Sequence, residues 1–389
     1  MPPRIVILCG PTATGKTRLG VALAKALGGE VVSADSMQVY RDMAIGTARP
    51  TEEEMEGIPH HMMAVADPGE NFSVARYVAE ATPVVDDILA RGKIPFIVGG
   101  TGLYIDALRK GQSFSAFDPK SGWRERLQAR VKTEGLPTLY AELEGIDPEA
   151  AARLHPNDEK RILRALEVWY ETGETISEHN RRTRDLPPRY RAAVLALNYR
   201  DRADLYARID RRVDGMMARG LPEEVRALLA AGVPLDGTAM QAIGYKELAP
   251  VLLAGGDPAE AAEEIKRRSR QYAKRQLTWF RRDPTAHWIL LEDPPDFSAV
   301  LRESTEYLRG LGLPSAQSGN WKRLETRRPG SPKEKECVYC DADTDDIRTQ
   351  PAEKTEPSGF SPLQAAPHPD GSHGLSGQRL SDPGGDPRL

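Results

Sequence analysis

Gly-Pro-Thr-Ala-Thr-Gly-Lys-Thr, at residues 10–17, matches the pattern G-x-x-x-x-G-K-[ST] of a phosphate-binding loop. An apolar run typical of a buried strand precedes it at residues 5–9, and apolar residues at helical spacing follow over residues 17–27. In such a strand–loop–helix unit, backbone N–H groups and a lysine surround a phosphate. We therefore predict diphosphate or triphosphate binding, rather than a glycine-rich turn without a ligand. The predicted contacts are Gly10, Pro11, Thr12, Ala13, Thr14, Gly15, Lys16 and Thr17.

Strands and helices alternate from the loop to residue 112. Strands are predicted at residues 30–34 and 94–98, with a helix at 74–91 between them. This alternation predicts an α/β fold, a parallel sheet flanked by helices as in P-loop nucleotide hydrolases. Ligands of such sheets bind at the carboxyl ends of the strands. The loop, Asp35-Ser36 and Gly99-Gly100-Thr101-Gly102 all stand at such ends.

Domain boundaries follow from changes of pattern. Residues 113–190 are polar, charged and helical in pattern, so we predict a helical insertion between two parts of one catalytic core, 1–112 and 191–314. Pro, Gly, Ser and charged residues dominate residues 315–389, which predicts a disordered tail. Cys337 and Cys340 form a C-x-x-C pair there, which is half of a zinc site or an incidental pair, the interpretation that we favour.

Composition limits the class of protein. The chain has 389 residues and a formal net charge of −4, as expected of a globular protein of about two domains. It has no apolar run of about 18 residues, so we expect no membrane span. The first apolar run is the strand before the loop, so we expect no signal peptide. Three cysteines favour a reducing cytoplasm, and we expect a monomer.

Basic residues are concentrated locally. Residues 265–282 contain eight basic residues and no acid, with Tyr272, Trp279 and Phe280 interleaved. Two further clusters consist of Lys160, Arg161 and Arg164, and of Arg181, Arg182, Arg184, Arg189 and Arg191. A polyanion responds to the local field rather than to the net charge, so nucleic acid is a candidate partner and solvated helix faces are the alternative.

The second predicted strand is followed by an acid, Asp35, whereas the strand at residues 94–98 is not followed by the acid that is usual with this loop. Nucleotide hydrolases and many kinases with this loop carry an acid after a later strand that helps to hold magnesium, but residues 94–98 run into glycines and Thr101. Asp35 follows the second predicted strand, where its carboxylate would face the ligand and could accept a proton as a general base. The alternative for Asp35 is a helix-capping aspartate.

Together with the loop, six further motifs over roughly residues 4–312 resemble the tRNA dimethylallyltransferase family, the bacterial tRNA isopentenyltransferases. These motifs, in the order of the family, are Asp35-Ser36-Met37-Gln38-Val39-Tyr40, Ile45-Gly46-Thr47-Ala48-Arg49-Pro50, Pro59-His60-His61, Gly99-Gly100-Thr101-Gly102-Leu103-Tyr104, His155-Pro156-Asn157-Asp158 and Arg270-Gln271-Tyr272-Ala273-Lys274-Arg275-Gln276-Leu277-Thr278-Trp279-Phe280. Residues 315–389 do not share the resemblance.

The resemblance implies transfer of a dimethylallyl group from dimethylallyl diphosphate to N6 of adenosine 37 in tRNA, with release of diphosphate. Asp35 would take the amino proton, Thr101 would face the reacting centre or the diphosphate, and Lys16 would stabilise the charge on the leaving diphosphate. Thr17 would bind Mg²⁺. Arg208 and Arg212 resemble diphosphate-contacting arginines of the family, with surface arginines as the alternative.

The resemblance also implies a set of RNA contacts around an adenine extruded from the anticodon stem-loop. Ser36 and Gln38 would hold the base, and the insertion would contact the stem-loop. The full predicted set is Asp35, Ser36, Met37, Gln38, Thr101, Arg124, Glu159, Lys160, Arg161, Ile162, Leu163, Gln241, Arg270, Lys274 and Arg275. We interpret His60 and His61 as structural residues. The remaining alternatives are a P-loop small-molecule kinase, a free-adenylate prenyltransferase and a non-catalytic RNA-binding protein.

Overall fold

The computed structural model describes residues 4–112, 122–184 and 187–313. Within these ranges, six strands form one parallel sheet in the order β3-β2-β4-β1-β5-β6. The strands are β1 Ile5–Cys9, β2 Gly29–Ser33, β3 His60–His61, β4 Ile94–Val98, β5 Ala192–Tyr199 and β6 Ala286–Leu291. The strand order places the ends of β2, β4 and β1 side by side at the centre of the sheet.

Helices connect these strands and cover the sheet. Those of the described ranges are α1 Lys16–Leu27, α2 Glu52–Met55, α3 Val74–Ala90, α4 Gly102–Lys110, α5 Trp123–Glu134, α6 Leu136–Ile146, α7 Pro148–Arg153, α8 Glu159–Thr172, α9 Ile176–Arg184, α10 Arg202–Ala218, α11 Leu221–Ala230, α12 Tyr245–Leu253, α13 Ala259–Phe280 and α14 Phe297–Gly310. A short 3₁₀ turn at Ala239–Gln241 precedes α12.

The sequence of β1 is a continuous apolar run because both faces of this strand are buried. Ile5, Ile7 and Cys9 belong to one hydrophobic cluster, and Val6 and Leu8 belong to a second. Side chains alternate between the two faces of a strand, so both faces of β1 are covered by helices. This two-sided burial confirms the α/β fold predicted from the sequence.

The described helices of the insertion, α5 to α9, have a hydrophobic cluster of their own. Its buried members include Leu127, Leu139, Leu143 and Leu166, which come from three of these helices. A separate apolar cluster is what an insertion needs in order to keep its own shape. The division into a core and an insertion stays a prediction, as do the exact boundaries.

The structure adds elements that the sequence patterns did not predict. Helix α4 begins at Gly102, the last residue of the glycine-rich loop, α14 follows the last strand, and β3 has only two residues. Among the described residues, no helix combines the length and apolar character that a bilayer crossing requires. The predicted disordered tail, residues 315–389, and its Cys337 and Cys340 lie outside the described residues.

Candidate active site

Three neighbouring strands deliver the predicted catalytic residues to one edge of the sheet. The phosphate-binding loop follows β1, Asp35 follows β2, and Thr101 follows β4. Backbone hydrogen bonds join these strand ends, since Thr101 N donates to Ala34 O at 3.1 Å and Gly99 N donates to Leu8 O at 3.1 Å. The structure therefore brings Lys16, Asp35 and Thr101 to one edge, as expected for carboxyl ends of parallel strands.

The phosphate-binding loop contains three residues with positive φ. Ala13 has φ of 65° and Gly15 has φ of 75°, both in the left-handed region. Gly10 has φ of 139°, and a Cβ atom there would lie 2.3 Å from the carbonyl oxygen of Leu197. Alternation of right- and left-handed residues makes a concave set of N–H donors, which suits an anion. The buried Thr14 hydroxyl donates to Pro11 O at 2.9 Å and holds the loop in shape.

Lys16 is held within the loop. Its Nζ donates to the carbonyl oxygen of Pro11, at 2.5 Å. Burial, and then the nearby Arg212 guanidinium, lowers the pKa of Lys16 to about 8, although Asp35 and Cys9 act in the opposite direction. A lysine with this pKa is mostly charged at neutral pH. Its ammonium group is restrained near the N–H donors of the loop, so a cation is already in position when diphosphate binds.

The carboxylate of Asp35 fixes the turn that follows β2. Asp35 Oδ1 accepts from Met37 N at 2.9 Å and Gln38 N at 3.3 Å, so this oxygen fixes the turn. No helix begins at this turn, and the helix-capping alternative for Asp35 is therefore wrong. Both bonds use Oδ1, and in the described part of the chain Oδ2 has no hydrogen-bond partner. One carboxylate can therefore fix the turn with one oxygen and accept a substrate proton with the other.

Gln38, predicted to hold the base, is part of the support of this turn. Its Oε1 accepts from the Ser33 hydroxyl at 3.0 Å, and its Nε2 donates to Thr47 O at 3.3 Å and Ala48 O at 3.2 Å. Met37, in the same turn, is half-buried and packs against the hydrophobic core. The turn that carries Asp35 is thus tied to the segment Ile45-Gly46-Thr47-Ala48.

The two predicted diphosphate arginines differ in environment. Arg208 is buried, its NH1 atom lies 2.8 Å from Asp293 Oδ1, and its guanidinium lies over the Tyr199 ring. Arg212 is half-buried, and its charge acts directly on Lys16. Arg212 is consequently the better placed of the two for a diphosphate in the loop, whereas Arg208 has a structural ion pair.

A divalent metal at this site would need ligands beyond the side chains of the protein. In the part of the chain that the structure describes, no cluster of three or more His, Cys, Asp or Glu side chains could hold a metal ion. Thr17, in the first turn of α1, offers a hydroxyl beside the loop. Mg²⁺ commonly binds through one or two protein oxygens, substrate phosphates and water, so this donor set fits a site completed by a diphosphate.

Helix α13 supplies three residues to the site that the sequence analysis did not assign to it. Tyr272 lies close to Thr101, Gln276 and Asp35. Burial, and then the charge of Asp35, raises the pKa of Tyr272 to about 12. Gln276 contacts both the phosphate-binding loop and Gly100, and Trp279 Nε1 donates to Asp106 at 3.0 Å. Their spacing of four and three residues, on one face of a helix, was the available signal.

The predicted RNA contacts in the insertion fall into exposed and buried sets. Arg124 lies on the surface, where it makes a two-pronged ion pair with the buried Glu167, at 3.0 and 2.8 Å. Glu159, Lys160 and Arg161 are exposed at the start of α8. The side chains of the other two members, Ile162 and Leu163, are buried in the hydrophobic cluster of the insertion, and their contact with RNA stays a prediction.

The predicted RNA contacts of the core are also uneven. Arg270 is paired with Asp210 on α10, through bonds of 2.5 and 2.6 Å from NH1. Lys274 and Arg275 are exposed on α13, and Gln241 is exposed while its Nε2 donates to Leu235 O at 2.8 Å. Phe280 is buried and Trp279 is half-buried, so this aromatic pair belongs to the packing of α13.

Comparison with known proteins identifies the family. The family model described as IPP transferase matches residues 38–283, and the model described as isopentenyl transferase matches residues 3–64. The matched regions include the loop, the Asp35 turn, the glycine-rich loop and α13. The first model alone covers more than half of the chain, including the helical insertion.

Relatives and solved structures agree with the family models. The chain is 47% identical over 308 residues to a tRNA dimethylallyltransferase of Caldanaerobacter subterraneus subsp. tengcongensis, covering 79% of this chain and 98% of that protein. The tRNA isopentenylpyrophosphate transferase of Bacillus halodurans is 42% identical, with a TM-score of 0.60 over 79% of this chain and 96% of its own. A eukaryotic dimethylallyltransferase acting on tRNA is 30% identical, with a TM-score of 0.66 over 82% and 83% of the two chains. This chain therefore belongs to the IPP transferase family, the family of the tRNA dimethylallyltransferases.

Proposed function

We propose that this protein transfers the dimethylallyl group of dimethylallyl diphosphate to N6 of adenosine 37 in tRNA, beside the anticodon. In the transfer, the N6 lone pair forms a bond to C1 of the dimethylallyl group as the bond from C1 to the diphosphate oxygen breaks. The bonding pair leaves with the diphosphate, and the proton lost from N6 goes to Asp35. The products are N6-dimethylallyladenosine in the RNA and free diphosphate.

The observation that carries this proposal is the convergence of the loop, Asp35 and Thr101 at three adjacent strand ends. The loop N–H groups and Lys16 would stabilise the charge that develops on the diphosphate, because fixed donors need no reorganisation during the reaction. Asp35 lies at the end of β2, separated from β1 by β4, and there it would meet an attacking amino group. The loop directly after β4, Gly99-Gly100-Thr101-Gly102, contains no acid, unlike the corresponding strand end of many phosphoryl-transfer enzymes with this loop.

Mg²⁺ is the metal that we propose for this site. Thr17 would hold it through its hydroxyl, together with oxygens of the diphosphate. When bound, the ion supplies positive charge to the departing diphosphate. The residues of the chain then orient the donor: the loop holds the diphosphate, and Arg212 adds a second cation beside Lys16.

The RNA would bind across the same edge of the sheet and the insertion. We propose that residues 113–190 form a helical domain that contacts the anticodon stem-loop through Arg124, Lys160 and Arg161. Lys274 and Arg275, exposed on α13, would meet the RNA backbone from the core. Cations that contact phosphates make binding strongly dependent on salt, because they displace counterions. We expect the protein to act in the cytoplasm, where tRNA is available.

Transfer of labelled dimethylallyl groups to RNA tests the proposal. The full-length protein is incubated with Mg²⁺, labelled dimethylallyl diphosphate and an anticodon stem-loop that contains A36 and A37. A stem-loop with guanosine at position 37 is the matched control, since it lacks the accepting amino group at N6. We expect label in the first RNA and none in the second.

Two further arms separate this function from the alternatives. AMP in place of RNA tests for a free-adenylate prenyltransferase, and labelled ATP with small-molecule acceptors tests for a kinase. Transfer to AMP at a rate equal to that with RNA, or phosphoryl transfer without prenyl transfer, would contradict the proposal. RNA binding without any transfer would favour a non-catalytic RNA-binding protein.

A further inference from the structure

Helix α13 lies against both loops of the candidate active site. Tyr272, Gln276 and Trp279 share one face of this helix, and each contacts the glycine-rich loop or the start of α4. The basic residues Lys274 and Arg275 lie on the exposed face. One face of α13 therefore packs against the candidate active site and the other faces solvent. Gln276 is the most buried polar residue of this helix at the site.

Gln276 joins the phosphate-binding loop to the glycine-rich loop through a single side-chain amide. Its Oε1 accepts from Thr12 N at 3.0 Å, and its Nε2 donates to Gly100 O at 2.9 Å. A backbone N–H can only donate and a carbonyl oxygen can only accept, so these partners determine the orientation of the amide. The side chain is only 5% exposed, which shields both bonds from water.

The glycine-rich loop is shaped to receive α13. A Cβ atom at Gly100 would lie 2.1 Å from Gln276 Nε2, and one at Gly102 would lie 2.2 Å from the Trp279 ring. A Cβ atom at Gly99 would lie 2.2 Å from the carbonyl oxygen of Ala34. Gly100 and Gly102 thus allow close packing on α13, and Gly99 allows close packing on Ala34, the residue after β2. Thr101, between Gly100 and Gly102, is therefore positioned by contacts of its neighbours.

The Thr12 contact also affects the phosphate-binding loop. Because Thr12 N–H donates to Gln276 Oε1, it already has an acceptor within the protein. The loop is consequently tied to α13 at Thr12, and we expect the amides that follow Thr12 to bind the diphosphate. Loss of this hold would let the loop and Thr101 move relative to each other.

We propose that Gln276 is a positioning residue that holds the phosphate-binding loop and Thr101 at a fixed separation, so that both act on the same bound donor. The expected effect of Gln276 on the rate of prenyl transfer rests on the proposed function. The expected effect of Gln276 on the order of the loop that binds diphosphate does not depend on that function. The amide oxygen and nitrogen of Gln276 are engaged with the protein backbone. Its effect passes through the Thr12 amide and the Gly100 carbonyl.

Two near-isosteric substitutions test the role. Gln276→Glu keeps an acceptor for Thr12 N but places a carboxylate oxygen against Gly100 O, and Gln276→Met removes both bonds at similar volume. We expect each to lower kcat for prenyl transfer on the order of 10- to 100-fold, because small misplacements of reacting groups cost that much. The KM for the RNA should stay within about twofold, since the RNA surface is not altered.

A binding measurement separates positioning from general stability. Inorganic diphosphate with Mg²⁺ should raise the Tm of the wild-type protein, and this rise should be smaller in both Gln276 variants. Glu30→Gln is the matched control, because Glu30 is a buried structural residue at the opposite end of β2. It should lower Tm but leave kcat and the diphosphate-induced rise unchanged.

A double-mutant cycle protects the test against variants that fail to fold. Gly100→Ala should displace the Gln276 amide and lower kcat, whereas Gln276→Ala makes room for the added methyl group. We expect the double variant to be no slower than Gln276→Ala alone, a non-additivity that marks direct contact. Additive losses, or Gln276 variants with wild-type kcat and wild-type diphosphate response, would overturn the proposal. Absence of transfer by the wild-type protein would instead contradict the proposed function, and the Tm arm would still test Gln276.

Discussion

The Thr101 hydroxyl accepts a hydrogen bond from the backbone N–H of Ser36 at 3.0 Å, and Thr101 Oγ1 lies 3.3 Å from the Ser36 hydroxyl. This pair joins the end of β4 to the end of β2. Because Ser36 directly follows Asp35, the same contact sets the distance between the predicted base and Thr101. The separation between the two catalytic candidates is thus a property of the sheet edge rather than of flexible side chains.

Substitution of Asp35 should abolish most turnover while the donor still binds. Asp35→Asn retains Oδ1 for the bonds from Met37 N and Gln38 N, so the turn should persist without a proton acceptor. We expect kcat for prenyl transfer to fall by about 10²–10⁴-fold, the usual contribution of a general base. Single-turnover transfer and calorimetric titration with dimethylallyl diphosphate measure the two properties separately.

Asp35→Ala is the companion variant, because it removes both the base and the oxygen that fixes the turn. A larger loss of stability in Asp35→Ala than in Asp35→Asn, with similar loss of turnover, would separate the two roles of the carboxylate. A rate near that of the wild type in Asp35→Asn would refute the assignment of Asp35 as the base.

Arg208 and Arg212 should respond differently to replacement by Met. Arg212→Met removes a cation beside Lys16 and should weaken diphosphate binding about 10- to 100-fold. Arg208→Met removes one of the two arginines that pair with Asp293 and leaves only Arg211. Because the Asp293 carboxylate is then less well compensated, the free energy of unfolding should fall by about 3 kcal/mol. Diphosphate titration and chemical denaturation of both variants measure these effects, and the opposite assignment of the two effects would reverse the roles.

Diphosphate binding should weaken as the pH rises above the pKa of Lys16. In the free protein this pKa is lowered to about 8, so the ammonium is charged below pH 8 and loses its proton above it. A bound anion favours the charged form, and binding above pH 8 must therefore be accompanied by proton uptake, with a loss of affinity of up to about tenfold per pH unit. Calorimetry in buffers of different ionisation enthalpy measures the proton uptake directly.

Lys16→Met provides the control for protons that the diphosphate itself binds. Any pH dependence that remains in this variant belongs to the ligand or to other groups. Equal proton uptake by the wild-type protein and by Lys16→Met would mean that Lys16 does not titrate in this range.

Glu30 should contribute a pH-dependent share of stability far from the active site. The pKa of Glu30 is held well below its usual value of 4.5, chiefly by the hydrogen bond from the Arg91 guanidinium. Burial acts in the opposite direction, and Lys93 and His61 lower the pKa further. A depressed carboxyl pKa stabilises the fold fully above about pH 4.5, and this stabilisation is lost as the pH falls toward the lowered pKa. Glu30→Gln should cost about 1–3 kcal/mol at pH 7, and less at pH 3.

Denaturant unfolding at pH 7 and pH 3 checks this expectation. Glu56→Gln, at an exposed ion pair with Lys25, is the control and should change stability little at either pH. A loss in Glu30→Gln that is equal at both pH values would show that its charge is not the cause. The hydrogen bonds of His61 to Glu30 and of His60 to Ile58 O agree with the structural role expected of both histidines.

Much of the fold could be predicted from local patterns, for identifiable reasons. The strand β1 is apolar throughout because both of its faces are buried, and α1 follows it with apolar residues at helical spacing. Helix α4 was missed because it starts inside the glycine-rich loop, and β3 because two residues carry no period. The burial of Ile162 and Leu163 could not be predicted, because a motif match does not say which face of α8 is exposed.

The sequence by itself determined the α/β fold, the phosphate-binding loop and the position of Asp35 and Thr101 at strand ends. These follow from contiguous residues, whose spacing carries the period of a strand or helix and the chemistry of a turn. Only the tertiary structure decided that β2, β4 and β1 are neighbours, that Arg212 rather than Arg208 acts on Lys16, and that Gln276 bonds to Thr12 and Gly100. Such contacts join residues far apart in the chain, so they arise from the packing of whole elements and leave no local pattern in the sequence.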